Sequence, residues 1–176
     1  AYTYWMHSQP YNPLPLLKCL AKWQAYSDTC LFVNAPDVIA DFDATVRNFW
    51  YWQPLIKVYG FKVAFTVQNG YRHNWQVLEL CLSYADALFI GCTNSEKYHP
   101  RMWDVVKLAK QRGLWVHNGR VNNPSKIQIS ISMGCDSFDG TSYAFYPPHI
   151  KAHIPFMQVK RENIVSVKQR SMFEDE

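Results

Sequence analysis

Polar residues follow several short apolar runs in this sequence, where a parallel α/β fold places its reactive groups. They are Asp37, Gln68, Gly91, the segment His117–Arg120 and Asp139. Because the carboxyl ends of parallel strands meet at one rim, we expect these residues to gather at a single mouth. A carboxylate held there can act as a nucleophile or as a general base.

Two nearby carboxylates, Asp136 and Asp139, compete for that role. They are separated by an odd number of residues, so a strand directs them to opposite faces, and Asp139 shares the face of Ser137. Only one of the two can point into the mouth, and the other can cap the adjacent turn or bind backbone amides. Asp136 is kept as a substrate-binding candidate, and its alternative role is to cap the adjacent turn.

Other chemical signals are weak. Gly119-Arg120 is a common pair, and the phosphate-binding patterns GxGxxG and GxxxxGK[ST] are absent, so no nucleotide cofactor is expected. His149 and His153 have a spacing that can bind zinc on a helix, but Pro147, Pro148 and Pro155 oppose a helix there, and the glutamate of HExxH is missing. The sequence predicts neither a cofactor nor a metal site.

The elements that must position these residues alternate regularly. Apolar runs near 31, 63, 87, 114 and 136 predict strands, and helix-length segments separate them. Asp41 is the expected N-cap of a helix that Pro54 interrupts, and a later helix should begin at Pro124 and end at Gly134. This pattern favours a parallel sheet with right-handed crossovers.

We therefore expect a TIM-like (β/α) barrel, either reduced or N-terminally incomplete, with the active site at the carboxyl ends of its strands. A full eight-stranded barrel typically needs roughly 200 residues or more, and this chain has 176. An open doubly wound sheet is the alternative. Residues 1–150 are expected to form one catalytic domain, and 151–176 a C-terminal extension or tail.

Composition limits the class of protein. The chain is 48% hydrophobic and 16% aromatic, which is sufficient for a packed core. A net charge of +4 and a pI near 8.8 are compatible with a polyanionic partner. Its five cysteines form no CxC or CxxC pair, and no run is long enough to span a membrane. These features predict a soluble, cytoplasmic protein.

Five motifs together resemble the queuine/archaeosine tRNA-guanine transglycosylase superfamily, and most of all its short branch of deazapurine DNA modification transglycosylases from phages and genomic islands. The motifs are Ala35–Val38 (APDV), Val67–Gly70 (VQNG), Phe89–Gly91 (FIG), Val116–Asn122 (VHNGRVN) and Gly134–Thr141 (GCDSFDGT). The similarity covers roughly residues 28–148. Its most specific part is the order of glycine loop, helix and GCDSFD.

The resemblance implies that a carboxylate attacks the anomeric carbon of a sugar, guanine leaves, and a free 7-deazaguanine base is installed. Asp139 matches the nucleophile and Asp37 the carboxylate that recognises the base, with Gln68 and the backbone of Gly91 at the base's other edge. The remaining substrate-binding candidates are Cys92, His117, Gly119, Arg120 and Asp136.

Two departures from the family pattern matter. The tRNA enzymes hold a structural zinc with clustered cysteines and a histidine, which this sequence lacks, so DNA is preferred over tRNA. The family's loop with a further active-site aspartate and a following glycine is expected just before Ala1. A bacterial or phage-infected cytoplasm, and either a homodimer or a partner subunit, are compatible with this interpretation.

Two other functions remain open. Water instead of a new base would resolve the intermediate in an N-glycosidase that removes bases. A non-catalytic barrel that binds a purine or a nucleic acid, as partner to a catalytic subunit, is the alternative from another class.

Overall fold

The computed structural model describes residues 11–142 and 147–157. Within them, five strands are Val33–Asn34 (β1), Val63–Val67 (β2), Ala87–Ile90 (β3), Trp115–Asn118 (β4) and Ser137–Phe138 (β5). The α-helices of the same ranges are Leu14–Trp23 (α1), Phe42–Val58 (α2), Trp75–Tyr84 (α3), Asn94–Lys97 (α4), Pro100–Gln111 (α5), Pro124–Met133 (α6) and Pro147–Met157 (α7). Short 3₁₀ segments lie at Gln24–Thr29 and Tyr71–His73.

The strands form one sheet in the order β1-β2-β3-β4-β5, and every neighbouring pair is parallel. Each strand therefore pairs with the next one in the sequence, and the winding direction never reverses. A doubly wound sheet requires such a reversal, so that alternative is wrong. The expectation of an α/β fold with parallel strands is confirmed, and the sheet curls into a half-barrel.

The two faces of the sheet can be told apart on β2. Phe65 packs edge-on against Phe42 and Phe49 of α2, with ring centroids 6.0 and 5.1 Å apart. Residues on either side of Phe65 in the strand point to the opposite face. Thr66 and Gln68 therefore lie on the concave face, away from α2.

The strand register extends this concave face across the sheet. Thr66 pairs with Phe89, Phe89 with His117, and His117 with Ser137. The curl is visible in one ring contact: Phe32, next to β1, lies 5.9 Å from His117 of β4 although two strands separate them. Side chains from both ends of the sheet therefore meet inside the half-barrel.

Helix ends follow the signals in the sequence at three places. Asp41 caps α2 by accepting the Ala44 N–H at 2.9 Å. Asn123 caps α6, Pro124 occupies its first turn, and Gly134 ends it with φ +92°. These predicted boundaries are confirmed, and they fix where β4 and β5 begin and end relative to α6.

Proline positions were less informative. Helix α2 continues through Pro54 to Val58, so the predicted interruption is wrong. Helix α7 forms despite its prolines. Pro147 and Pro148 lie in its first turn, where a missing N–H breaks no helical bond, whereas Pro155 lies inside the helix, close to its C-terminal end. This helix crosses residue 150, so the expected domain boundary does not coincide with an element boundary. The rest of the expected tail, 158–176, lies outside the described residues.

Among the residues described, no helix is both long and apolar enough to cross a lipid bilayer.

Replacing Pro54 by alanine should stabilise the protein. Alanine restores an N–H that can bond the Trp50 carbonyl within α2, and helix-interior proline is roughly 3 kcal/mol less favourable than alanine. Because proline also restricts the unfolded chain, we expect a net rise of about 1–2 kcal/mol in the free energy of unfolding, measured by equilibrium urea denaturation. The exposed Arg47→Ala in the same helix should stay within about 0.5 kcal/mol of the wild type. A destabilised Pro54→Ala would contradict this account.

Candidate active site

The first half of the site joins the ends of β1 and β2. Gln68 is buried, its Nε2 donates to Asp37 Oδ2 at 2.6 Å, and its Oε1 accepts the Ala40 N–H at 3.1 Å. The amide therefore fixes the orientation of the Asp37 carboxylate. Among the described residues, Asp37 Oδ1 accepts no hydrogen bond, so it is available to a ligand.

Two glycines allow the strand ends to come this close. A Cβ on Gly91 would lie 2.6 Å from Thr66 Cγ2 and 2.9 Å from Gln68 Nε2. A Cβ on Gly119 would lie 2.8 Å from the Phe89 ring. Both positions sit on the concave face, and any side chain there would displace the site residues beside it.

Asp139 forms the second half of the site. Its backbone N–H donates to the Asn118 carbonyl at 3.2 Å and its carbonyl accepts the Val121 N–H at 2.5 Å. The carboxylate accepts the Arg120 N–H on Oδ1 at 2.6 Å, and Oδ2 lies 3.4 Å from His117 Nε2. The side chain is nevertheless 56% exposed. It is thus held from one side and open to a ligand on the other.

These partners also set the charge of Asp139. The hydrogen bond from His117 is the largest cause that lowers its pKa below the ordinary value, partial burial opposes it, and the Arg120 N–H lowers the pKa further. The carboxyl group is therefore ionised across the neutral range, as a carboxylate nucleophile requires.

His117 belongs to a chain of hydrogen bonds on the concave face. Trp115 Nε1 donates to Ser137 Oγ at 2.8 Å, and Ser137 Oγ lies 2.8 Å from His117 Nδ1. Since an ionised Asp139 only accepts, His117 Nε2 must carry the proton between them. Ser137 then donates to Nδ1 when the imidazole is neutral and accepts from it when it is charged.

Aromatic rings fix the plane of the imidazole. Phe89 stacks on His117 with centroids 4.8 Å apart and an interplanar angle of 24°, and Phe32 approaches it at 62°. The ring is 14% exposed. Its freedom to rotate is therefore small, and Nε2 stays directed toward Asp139.

The buried side chain of Lys97 supports the turn that contains Gly119. This residue was not among the site residues predicted from the sequence. It has no exposed surface, and its Nζ donates to the Gly119 carbonyl. Burial lowers the pKa of this amine from 10.5 to about 8. The signal in the sequence that could have identified Lys97 was its place after the end of the third strand. A lysine in a polar stretch is ordinarily exposed, so this signal was not sufficient.

Arg120 makes contacts within the site through both its side chain and its backbone. Its guanidinium Nη2 donates to the carbonyls of Gly91 and Cys92, at 2.7 and 2.8 Å. Its contribution to Asp139 comes from its backbone. The side chain therefore links the ends of β3 and β4.

Cys92 does not fit its expected role as a ligand-binding residue. The side chain is fully buried, and burial raises the pKa of its thiol to about 12. The thiol is therefore protonated and has no surface that a ligand could contact. What remains is its carbonyl, which Arg120 already engages.

Asp136 also lies elsewhere. It precedes β5, at the amino end of the strands, where its carboxylate accepts Lys110 Nζ at 2.6 Å and the Val116 N–H at 2.8 Å. Its place among the substrate-binding residues is therefore corrected. The alternative reading, a carboxylate that binds local backbone and a neighbouring charge, is the one the geometry supports.

Backbone strain coincides with the two halves of the site. Ala40 and Arg120 are the non-glycine residues with positive φ in the described ranges, each at +60°. Their N–H groups are the donors to Gln68 and Asp139. Such conformations cost of order 1–3 kcal/mol each and persist where surrounding contacts impose them.

Within residues 11–142 and 147–157, no group of three or more His, Cys, Asp or Glu side chains is arranged to hold a metal ion. The arrangement as a whole offers an ionised, accessible carboxylate beside a protonated imidazole nitrogen, and a second carboxylate with a free oxygen on the same rim. This set suits covalent catalysis on a substrate that presents hydrogen-bond donors.

The buried charge of Lys97 should be visible as a pH-dependent stability. The folded amine loses its proton near pH 8 and the unfolded one near 10.5. Between these values the unfolded state binds more protons, so stability rises with pH. Relative to Lys97→Met, the wild type should gain about 2–3 kcal/mol from pH 8 to 10.5 in chemical denaturation.

Subtracting the variant removes the contributions of other titrating groups. The exposed Lys107→Met should show no such pH-dependent difference. A constant difference between wild type and Lys97→Met across this window would mean that Lys97 is not held buried and charged at neutral pH.

No protein-family model matches this sequence, and no curated protein matches it either. The chemistry of the site is therefore inferred from its geometry and from the motifs that surround it.

Proposed function

We propose that this protein is a nucleic-acid guanine transglycosylase, which exchanges guanine for a 7-deazaguanine base through a covalent aspartyl-sugar intermediate. The observation that carries the proposal is the ionised Asp139 carboxylate, which the Arg120 N–H holds in place and which is more than half exposed. DNA is the preferred substrate, which implies a cytoplasmic protein. The half-barrel corresponds, on this view, to a reduced TIM-like barrel.

Asp139 Oδ2 attacks the anomeric carbon of the target nucleotide. The C–O ester bond forms as the C–N glycosidic bond breaks, and the electron pair of that bond leaves with the base. A free 7-deazaguanine then enters, its nitrogen loses a proton and attacks the same carbon, and the Asp139 carboxylate departs. No oxidant, reductant or metal is needed for either half.

Asp37 is placed to recognise the base. Guanine presents N1–H and an N2 amino group side by side, which suits a bidentate carboxylate acceptor. Gln68 fixes Asp37 through Oδ2 and leaves Oδ1 free, so the acceptor is oriented before the base arrives. Gly91 has no side chain that would push Gln68 away from Asp37.

One observation supports a second candidate, hydrolytic base removal. More than half of the Asp139 side chain is exposed. Unless substrate covers it, water can reach the intermediate and release the sugar without a new base. Product analysis with and without free 7-deazaguanine separates exchange from hydrolysis.

Asp139→Asn should abolish the covalent step. Incubated with guanine-containing DNA and no acceptor base, the wild type should form a protein–DNA adduct on a denaturing gel and release guanine. The variant should lose both by roughly 10³-fold or more, because an amide is a poor nucleophile. Asp136→Asn is the matched control from the same segment and should retain both at the same order of magnitude. Adduct formation by Asp139→Asn at the wild-type rate would remove Asp139 as nucleophile.

Asp37→Asn should impair recognition of the guanine edge. Hydrogen bonds to a charged group contribute about 1.5–3 kcal/mol, so we expect free guanine to bind roughly 10- to 150-fold more weakly, measured as an inhibition constant for the exchange. Hypoxanthine lacks the 2-amino group and should lose less. The exposed Asp28→Asn is the control. An equal loss for both bases would assign Asp37 to another contact.

A further inference from the structure

The peptide group that joins Gly119 to Arg120 has a charged partner at each end. Its carbonyl accepts a hydrogen bond from Lys97 Nζ, and its N–H donates to Asp139 Oδ1 at 2.6 Å. Both bonds belong to one planar amide, so they form a continuous chain from the buried ammonium to the carboxylate. Hydrogen bonds in such a chain polarise one another.

We propose that Lys97 is a positioning residue for the exchange, whose charge acts on Asp139 through this peptide group, a role that rests on the proposed function. An ammonium at the carbonyl oxygen draws electron density from the amide and makes its N–H a stronger donor to a carboxylate. A sugar ester on Asp139 carries no charge and gains less from that donor. Lys97 therefore stabilises the free carboxylate relative to the covalent intermediate.

Burial makes the charge of Lys97 effective. The side chain has no exposed surface, so water does not screen its interaction with the amide. Burial lowers the pKa of the amine to about 8, and the amine is therefore charged at pH 7. The coupling also acts on Asp139, whose pKa is lowered most by the hydrogen bond from His117, then by the Arg120 N–H and by the charge of Lys97.

Four other titratable or charged groups act on the Lys97 amine. Arg120 and Lys126 oppose its charge, and Asp139 favours it. Burial raises the pKa of the Cys92 thiol to about 12, so this group is neutral near pH 8. Within this described set, Asp139 is the group that is negative at neutral pH. Formation of the ester removes that charge, and Lys97 then gives up its proton more readily.

The two halves of the exchange should respond differently to Lys97. In the first half, Asp139 gives an electron pair to the sugar carbon, and a strong donor to its carboxylate does not assist this step. In the second half, the C–O ester bond breaks and the pair returns to the carboxylate. The polarised N–H then stabilises the leaving group. Loss of the Lys97 charge should slow breakdown of the intermediate more than its formation.

Single-turnover kinetics at saturating DNA separate the two halves. Formation of the adduct is followed on denaturing gels without an acceptor base, and its breakdown after free 7-deazaguanine is added. At about pH 6.5, Lys97→Met should slow breakdown roughly tenfold and formation by no more than about threefold, so the adduct accumulates. Lys126→Met removes a neighbouring charge outside this hydrogen-bond chain and should leave both rates within about twofold.

The pH dependence distinguishes the charge of Lys97 from its shape. As the wild-type amine loses its proton, the wild-type breakdown rate should fall to that of Lys97→Met. The ratio of the two rates should therefore decrease toward one as the pH rises through about 8 or somewhat below, because the intermediate lacks the Asp139 charge. A residue that only fills space would give a ratio independent of pH.

The coupling can also be measured without turnover. Carbon-13 NMR of labelled aspartate carboxyl groups follows the ionisation of Asp139, with its signal assigned by its absence in Asp139→Asn. Lys97→Met should raise the pKa of Asp139, whereas Lys126→Met should not. Lys97→Gln is uncharged but retains a donor for the Gly119 carbonyl. It is the second variant in case methionine is not tolerated, and it should change the pKa in the same direction.

Each result has a distinct meaning. An Asp139 pKa that neither Lys97 variant raises, equal slowing of the two halves, or a breakdown ratio independent of pH would overturn the proposal. Wild-type breakdown by Lys97→Gln would give Lys97 a structural role alone. A wild type that neither forms an adduct nor releases guanine would refute the proposed function and the kinetic part of this inference, whereas the NMR titration would still decide whether Lys97 acts on Asp139.

Discussion

Arg120 connects the ends of three strands, and the geometry of the site depends on it. Its N–H binds the Asp139 carboxylate after β5, its side chain binds the last carbonyls after β3, and it follows β4 directly. The positive φ that it adopts aligns its N–H with Asp139 while the guanidinium reaches back across the sheet. One residue thus fixes Asp139, the proposed nucleophile, relative to Gly91, which follows β3 beside Gln68.

The local structure around Arg120 is energetically unfavourable, and the burial of apolar side chains in the core offsets its cost. A positive φ at a non-glycine residue and a fully buried lysine each oppose folding. Lys97 bonds the carbonyl immediately before Arg120, so the two unfavourable features stabilise the same turn. The apolar core of β2 and α2 lies on the opposite face of the sheet and supplies the favourable burial that offsets them.

The sequence was sufficient for the order of the elements and for part of the site. Strand-end placement identified Asp37, Gln68, His117 and Asp139, because parallel strands of a singly wound sheet bring their carboxyl ends together. Alternation along β5 separated Asp139 from Asp136, although it did not show that Asp136 lies at the other end of the strand.

Lys97 and Ser137 were not singled out, since their roles depend on which carbonyl or imidazole the folded chain brings within reach. Pro54 misled because a helix with strong packing on one face tolerates a proline on its exposed side.

The hydrogen bonds of Asp139 have opposing effects on its reactivity. Donors that keep a carboxylate ionised also withdraw electron density from its oxygens, one of which would attack the sugar in the proposed exchange. The site separates these effects between two oxygens. Oδ1 takes the short bond from a backbone N–H that cannot move, whereas Oδ2 has only the longer contact with His117. The first bond keeps the group charged and oriented, and the second can be given up as the ester forms. A histidine at this position, with its longer contact, therefore leaves Oδ2 less strongly bound than a second backbone donor at the distance of the Arg120 N–H would.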